Sequence, residues 1–381
     1  MPQTVKSNPY VYPFIPFEDL SNKEIKNNFV GKKELDWEDL SKMVRKIKSP
    51  KPEIGGTTTA EKILSVFLDD EYRFGPREFI EENRENWINK LNLFIEKNQP
   101  LKLTILGFPF KVPVPLKTNR HFPDMGDVLA LLRLFTINNI IKEIYSPGAE
   151  TVIFTEGVFG RFSGVSTETA SQYRDFLQEI IERLGFSTSL EISDLAEMES
   201  TVNDFPQRYE EKISQLKNLY LSGDPNFLEK YKGTYESIYR IISTEGSDDK
   251  FLMDVYNENL SDDDAPAEVL EFRKKLRSET HETVFKYHAY LLVRDDLDYI
   301  QKKSPNSIPL SVSPKPNRLG VIAVHQDCLL LPHHGVTVFY PDRGMFLIEY
   351  LIDIKRRNCS FTPVFLRGDK DNKPFYYEVK S

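Results

Sequence analysis

Residues 107–127, GFPFKVPVPLKTNRHFPDMGD, set two lysines, an arginine and a histidine (Lys111, Lys117, Arg120, His121) ahead of two carboxylates, Asp124 and Asp127. Cations in a proline-stiffened loop before a helix suit a phosphate, because free backbone N–H groups and the helix dipole add to the side-chain charge. A structural reading stands beside this one. Loop lysines and arginines are commonly solvated, and Asp124-x-x-Asp127 fits a helix cap followed by a first-turn carboxylate. A further acid, Glu156, stands in the TEG of residues 155–157.

A second cluster, HQDCLLLPHHG, carries His325, Asp327, Cys328, His333 and His334. His325-x-Asp327 with a later histidine imitates the two-histidine, one-carboxylate iron triad, but on one short segment the ligands are cramped. Zinc through His325, Cys328 and His333 matches none of the strong zinc spacings. No metal is therefore expected. His334, just before a strand, either bonds locally or serves as an acid or base. His281-Glu282 lacks the H-E-x-x-H spacing, and Ser163 lies outside a G-x-S-x-G elbow. No glycine-rich dinucleotide fingerprint or phosphate-binding P-loop occurs. Phe108, Phe159 and Tyr173 are candidate aromatic contacts for a substrate, with core packing the commoner role for such residues.

The elements that must position these groups alternate. LKLTILGFPF reads as a buried strand ending near Gly107, and DMGDVLALLRLFTINNIIKEIY as a buried helix capped by Asp124. ETVIFTEG is a second strand, ETASQYRDFLQEIIERLG a helix closed by Gly185, and STSLEISDL a third strand. That order is the signature of an α/β fold with a largely parallel sheet flanked by helices. In such a sheet the ligand crevice lies beyond the carboxyl ends of the strands, where both the 107–123 loop and Glu156 fall.

Around this core, residues 59–193, we expect three further parts. Residues 1–58 form an N-terminal arm that packs through Tyr10, Tyr12, Phe14 and Phe17. Residues 194–303 form an added helical layer, whose segment from Pro266 to Lys303 is one long helix or two. Residues 304–381 form a C-terminal β-rich extension with six strand-like runs. The 381 residues carry a net charge of about −8, with 40% hydrophobic and 28% charged residues. These values fit a globular chain and argue against a nucleic-acid partner, which would need a basic face. The proline-broken start and the charges within Val128–Ile144 speak against a signal peptide and a membrane span. Two cysteines, Cys328 and Cys359, fit a reducing compartment, so a cytosolic protein is expected.

ILGFPFKVPVPLKT, FPDMGDVLALLRL and IYSPGAETVIFTEGVFGRFSGVS with QYRDFL resemble, in order and spacing, the core of the isocyanide (isonitrile) synthase family. That family includes pyoverdine/paerucumarin-type enzymes and the fungal dityrosine spore-wall protein. The resemblance covers about residues 58–190 and returns more weakly in the tail. It implies a Rossmann-like enzyme that joins an amino acid, typically tyrosine or tryptophan, to ribulose 5-phosphate. One sugar carbon becomes the isocyanide carbon, with no cofactor and with a separate iron/2-oxoglutarate oxygenase as pathway companion. For that chemistry Lys117, Arg120 or both would hold the phosphate, with His121 a further substrate contact, and Lys111 would meet the ketone or carbinolamine oxygen or form a Schiff base. Asp124, Asp127 and Glu156 would recognise the amine and move protons, and Arg133 would meet the substrate carboxylate or neutralise a buried acid.

The chain departs from the family pattern in four places. Asp127 replaces the usual glutamate, and Thr155-Glu156-Gly157 replaces S-D-G. Residues 309–314 read PLSVSP where the family tends to R-L-S-I-H-P, and 331–335 read LPHHG for T-P-W-H-G. These departures leave open a same-fold condensation with another product, or a binding or scaffold protein without catalysis.

Overall fold

The computed structural model describes residues 25, 28–313, 315–328 and 330–380. The expected packing of Tyr10, Tyr12, Phe14 and Phe17 lies outside the described residues. Among the described residues ten strands form two five-stranded sheets: β1 (Lys33–Leu35), β2 (Leu101–Gly107), β3 (Ala149–Thr155), β4 (Leu190–Asp194), β5 (Ile308–Ser311), β6 (Leu319–Gly320), β7 (Val336–Tyr340), β8 (Met345–Glu349), β9 (Phe361–Leu366) and β10 (Tyr376–Val379).

The first sheet runs β4-β3-β2-β5-β6 and is parallel throughout. Its central strand β2 buries Leu101, Leu103, Thr104 and Ile105, the near-continuous apolar run of a strand covered on both faces. Beside it packs the helix Met125–Ile144, apolar on most faces, against β3 and the helix Thr59–Leu68. Asp124 caps it, with the reciprocal Asp127 contact of a capping box. Gly126, the glycine of PDMGD, lets this helix start touch the second sheet. A Cβ there would come within 2.7 Å of Ile348 and 2.8 Å of the Thr337 hydroxyl.

The second sheet runs β1-β9-β10-β7-β8 and is mixed. It recruits β1 from the N-terminal arm, parallel to β9. All six tail segments form strands, yet β5 and β6 join the parallel sheet rather than an extension of their own. Ile308, Pro309 and Leu310 face Leu103, Thr104 and Ile105 of β2. Pro309 has no N–H to give a second neighbour, and β6 pairs only from Leu310 onward, so the proline is accommodated.

The helical layer packs onto this core through the helix Ala267–Asp296, which is single and 30 residues long. Asp298, with φ of 48°, ends it before a short helix Tyr299–Lys303. The helices Phe205–Leu221 and Pro225–Tyr239 lie against the long one. Among the described residues no helix is long and apolar enough to cross a membrane.

Candidate active site

From β2 the chain winds outward through β3 and β4, then returns to add β5 and β6 on the other side. The topological switch therefore falls between β2 and β5, where open α/β sheets bind ligands beyond the strand ends. A cavity of about 420 Å³ occupies that place, floored by Gly107–Pro109 and Ser311–Ser313. The helical layer roofs it with Arg240, Tyr287, Leu291 and Arg294. Phe108, at the floor, holds φ of 50°, a left-handed conformation that a bulky residue keeps only where its surroundings impose it.

The sequence candidates divide at this cavity. Phe108, Lys117, Asp127, Arg133, Glu156 and His334 line it. Lys111 does not: it is fully buried, and its ammonium meets Asp124 Oδ2 at 2.7 Å, Asp127 Oδ2 at 3.5 Å and the Pro332 carbonyl at 2.7 Å. Three partners use its three protons. Asp124 is equally occupied, accepting from the Gly126 N–H and the Thr337 hydroxyl, and it stays behind the cavity wall. Tyr173 donates to Asp127 Oδ1 at 2.8 Å from the core side rather than offering a ring to a ligand.

Arg120 also stays out of the cavity. Its guanidinium is fully buried, with Asp369 at 2.6 Å, Asp371 at 3.8 Å and the carbonyls of Phe122, Pro123, Lys373 and Pro374 around it. It ties the loop to the turn between β9 and β10. His121 turns to Glu245 at 3.0 Å, near the surface. Phe159 packs behind the lining residue Tyr287, ring centroids 4.7 Å apart.

Lys117 is the one lysine of the 107–123 loop on the cavity, 7% exposed. It donates to the Arg240 carbonyl at 2.5 Å and faces the Tyr350 ring at 6.0 Å. Burial, with the Arg240 guanidinium nearby, brings its pKa down to about 7. A lysine so shifted has a substantial neutral fraction near pH 7, which makes it a base and a nucleophile. His333 and His334 also line the cavity and meet edge to face, ring centroids 4.1 Å apart. Burial and the Lys111 and Lys117 cations push His333 down to about 3; burial, then His333 and the lysines, push His334 well below the ordinary histidine range. Both imidazoles are therefore neutral at physiological pH. Asp127 moves the other way, raised by burial against the pull of Lys111.

Arg133 is 8% exposed, and its Nη2 donates to the Val324 carbonyl at 3.0 Å while Nη1 is buried without a hydrogen-bond partner. Glu156 stands among Arg294, Lys315 and Arg318, all lining the cavity. Burial raises the Glu156 carboxyl pKa and the three cations oppose that rise. His325 and Asp327 lie near the surface, Nδ1 to Oδ2 3.7 Å apart. Among the described residues no three His, Cys, Asp or Glu side chains are arranged to hold a metal ion.

The model of the pyoverdine/dityrosine biosynthesis protein family matches residues 91–352. The chain belongs to this family. The matched span runs from the start of the parallel sheet through the helical layer to β8, so every cavity residue named above falls inside it. The chain is 24% identical over 332 residues to an L-tyrosine isonitrile synthase of Xenorhabdus nematophila, covering 84% of this chain and 92% of that protein. It is 26% identical over 261 residues to an L-tryptophan isonitrile synthase of Fischerella ambigua, covering 66% and 74%. The crystal structure of PvcA from Pseudomonas aeruginosa superposes with a TM-score of 0.61 at 20% identity, over 84% of this chain and all of that one, and shows the shared fold.

In this family member, sequence reasoning left Arg294, Lys315, Arg318, Arg240 and Tyr287 unnamed. Lys315 and Arg318 carried a usable signal, since SVSPKPNRLG is another proline-stiffened cationic loop after a parallel strand. Arg240, Tyr287 and Arg294 carried none, being ordinary residues of the helical layer until that layer folds over the strand ends.

Proposed function

We propose that this chain is an isonitrile synthase. It joins the amino nitrogen of an aromatic amino acid, tyrosine or tryptophan, to the ketone carbon of ribulose 5-phosphate, keeps one sugar carbon as the isonitrile carbon and releases phosphate. One observation carries the proposal: a lysine with pKa near 7 and two neutral imidazoles share an enclosed cavity with two carboxyls that burial raises. The activities of the L-tyrosine and L-tryptophan isonitrile synthases it resembles support the same reading.

The amino acid arrives as an ammonium ion, and its nitrogen cannot attack until it loses a proton. Neutral Lys117 takes that proton. The nitrogen lone pair then adds to the ketone carbon, the C=O π pair moves to oxygen and takes the proton back from the lysine ammonium, and the now cationic nitrogen loses a further proton to the neutral lysine to give a carbinolamine. His333 and His334 accept hydrogen bonds from the ammonium and the new hydroxyl. Asp127, anchored by Lys111 and Tyr173, faces the ammonium, and the cavity-lining Arg133 meets the substrate carboxylate.

Incubating the purified protein with tyrosine or tryptophan and ribulose 5-phosphate tests this. The expected result is phosphate release in step with a product that shows an isocyanide stretch and retains the labelled amino nitrogen. Absence of both with either amino acid would overturn it.

A further inference from the structure

The cavity wall around Glu156 carries more positive than negative charge. Arg294 comes from the long helix, and Lys315 and Arg318 from the loop leaving β5. Arg294 is buried, Arg318 half-buried, and Lys315 exposed at the rim. Asp295, the carboxylate at 2.7 Å from Arg294, is itself 63% exposed. Among the described residues neither Lys315 nor Arg318 forms an ion pair. The acid in their field that also lines the cavity is Glu156. Against Glu156 and the largely exposed Asp295, the three cations leave a net positive charge, with Ser311 and Ser313 also lining the cavity at the β5 end.

Arg120 shows how this chain treats a cation that serves only the fold. It receives two aspartates and four carbonyl oxygens. The triplet at the β5 end receives no such set, although it stands at the switch point, where approaching side chains lose much of their hydration. A net positive cluster in an enclosed cavity suits an anion, and two of the three cations are arginines, whose planar fork matches phosphate oxygens.

We propose that Arg294, Lys315 and Arg318 form a subsite for a phosphomonoester dianion, with Glu156 as the resident carboxylate beside which that dianion must sit. The subsite rests on the proposed function only for its natural ligand, the sugar phosphate. It moves the phosphate end from the 107–123 loop to the β5–β6 loop and the helical roof. The uncharged end of the sugar then extends toward Lys117 and His334. Because Glu156 carries the same sign as the ligand, it weakens binding of the dianion, and its removal strengthens it.

Calorimetric titration of the full chain at low salt, with inorganic phosphate and separately with ribulose 5-phosphate, tests this. Wild type should bind both. Lys315→Gln with Arg318→Gln should weaken both by about 10- to 100-fold while tyrosine affinity holds. Glu156→Gln should tighten inorganic phosphate by roughly fivefold, since it removes one like charge. Wild type binding neither probe, a double variant binding phosphate as tightly as wild type, or a Glu156→Gln variant no tighter would each overturn the subsite. Phosphate binding lost in the double variant, in a protein that makes no isonitrile, would uphold the subsite and overturn the activity. Isonitrile formation with an unchanged sugar phosphate KM in the double variant would do the reverse.

Discussion

Two proline-stiffened loops leave adjacent parallel strands at the same edge of one sheet, and each carries cations, but their charges meet different fates. In the loop after β2, Lys111 and Arg120 are sealed against Asp124, Asp127, Asp369 and Asp371, and Lys117 alone of its lysines and arginines reaches the cavity. In the loop after β5, Lys315 and Arg318 have no ion pair among the described residues and both line the cavity. A buried cation with a complete set of acceptors is part of the scaffold, and a cation that lines a cavity without an ion pair is free to meet a ligand.

The contrast is broken most forcefully at its structural half. Arg120→Ala leaves Asp369 and Asp371 as buried carboxylates without a cation, which costs about 3–5 kcal/mol of stability. Denaturant unfolding should read that loss, and kcat of the protein that still folds should stay within a few-fold of wild type. An equal loss from Arg318→Ala would erase the distinction between the loops.

Lys117→Met tests the functional half of the first loop. It removes the base but keeps an apolar stem, so turnover should fall about 10²- to 10⁴-fold. Stability should not fall, because the methionine no longer has to bury an amine. The corresponding Lys111→Met exchange should instead lower the unfolding midpoint, since Asp124 and Asp127 lose their shared counter-ion.

Much of the scaffold could be read in the sequence, because its causes are local. The Asp124 cap, the apolar helix behind it and the Gly185 helix end each follow from a few neighbouring residues. What escaped is set by partners far away in the chain. Arg120 looks like any loop arginine until Asp369, 249 residues on, folds against it. The same holds for β5, a four-residue run containing a proline that joins β2 only by parallel pairing across 200 residues. Arg294 gives no local sign of a site, since its role depends on which way a 30-residue helix lies over the sheet.

Smaller effects sharpen the account. Arg133→Met should raise the KM for the amino acid about 10- to 100-fold with little change in the KM for sugar phosphate, as expected for loss of one charge-assisted contact. Steady-state kinetics with each substrate varied in turn would read this. Thr337→Val removes a single hydroxyl donated to Asp124 and should cost about 1 kcal/mol of stability, read from the unfolding midpoint.

The most direct test is the pH dependence of kcat at saturating tyrosine and ribulose 5-phosphate. Lys117 acts as a base only when neutral, so its lowered pKa implies a rate that is full above about 7 and lost as pH falls through that value. His333, down at about 3, and His334, lower than an ordinary histidine, stay neutral through this range and contribute no limb. Of the charged and titratable groups facing Lys117, Arg240 stays protonated and Tyr350 stays neutral, its pKa pushed up to about 12 by burial. A tenfold loss per pH unit below about 7 is the predicted result; a kcat that stays level down to pH 5.5 would contradict it.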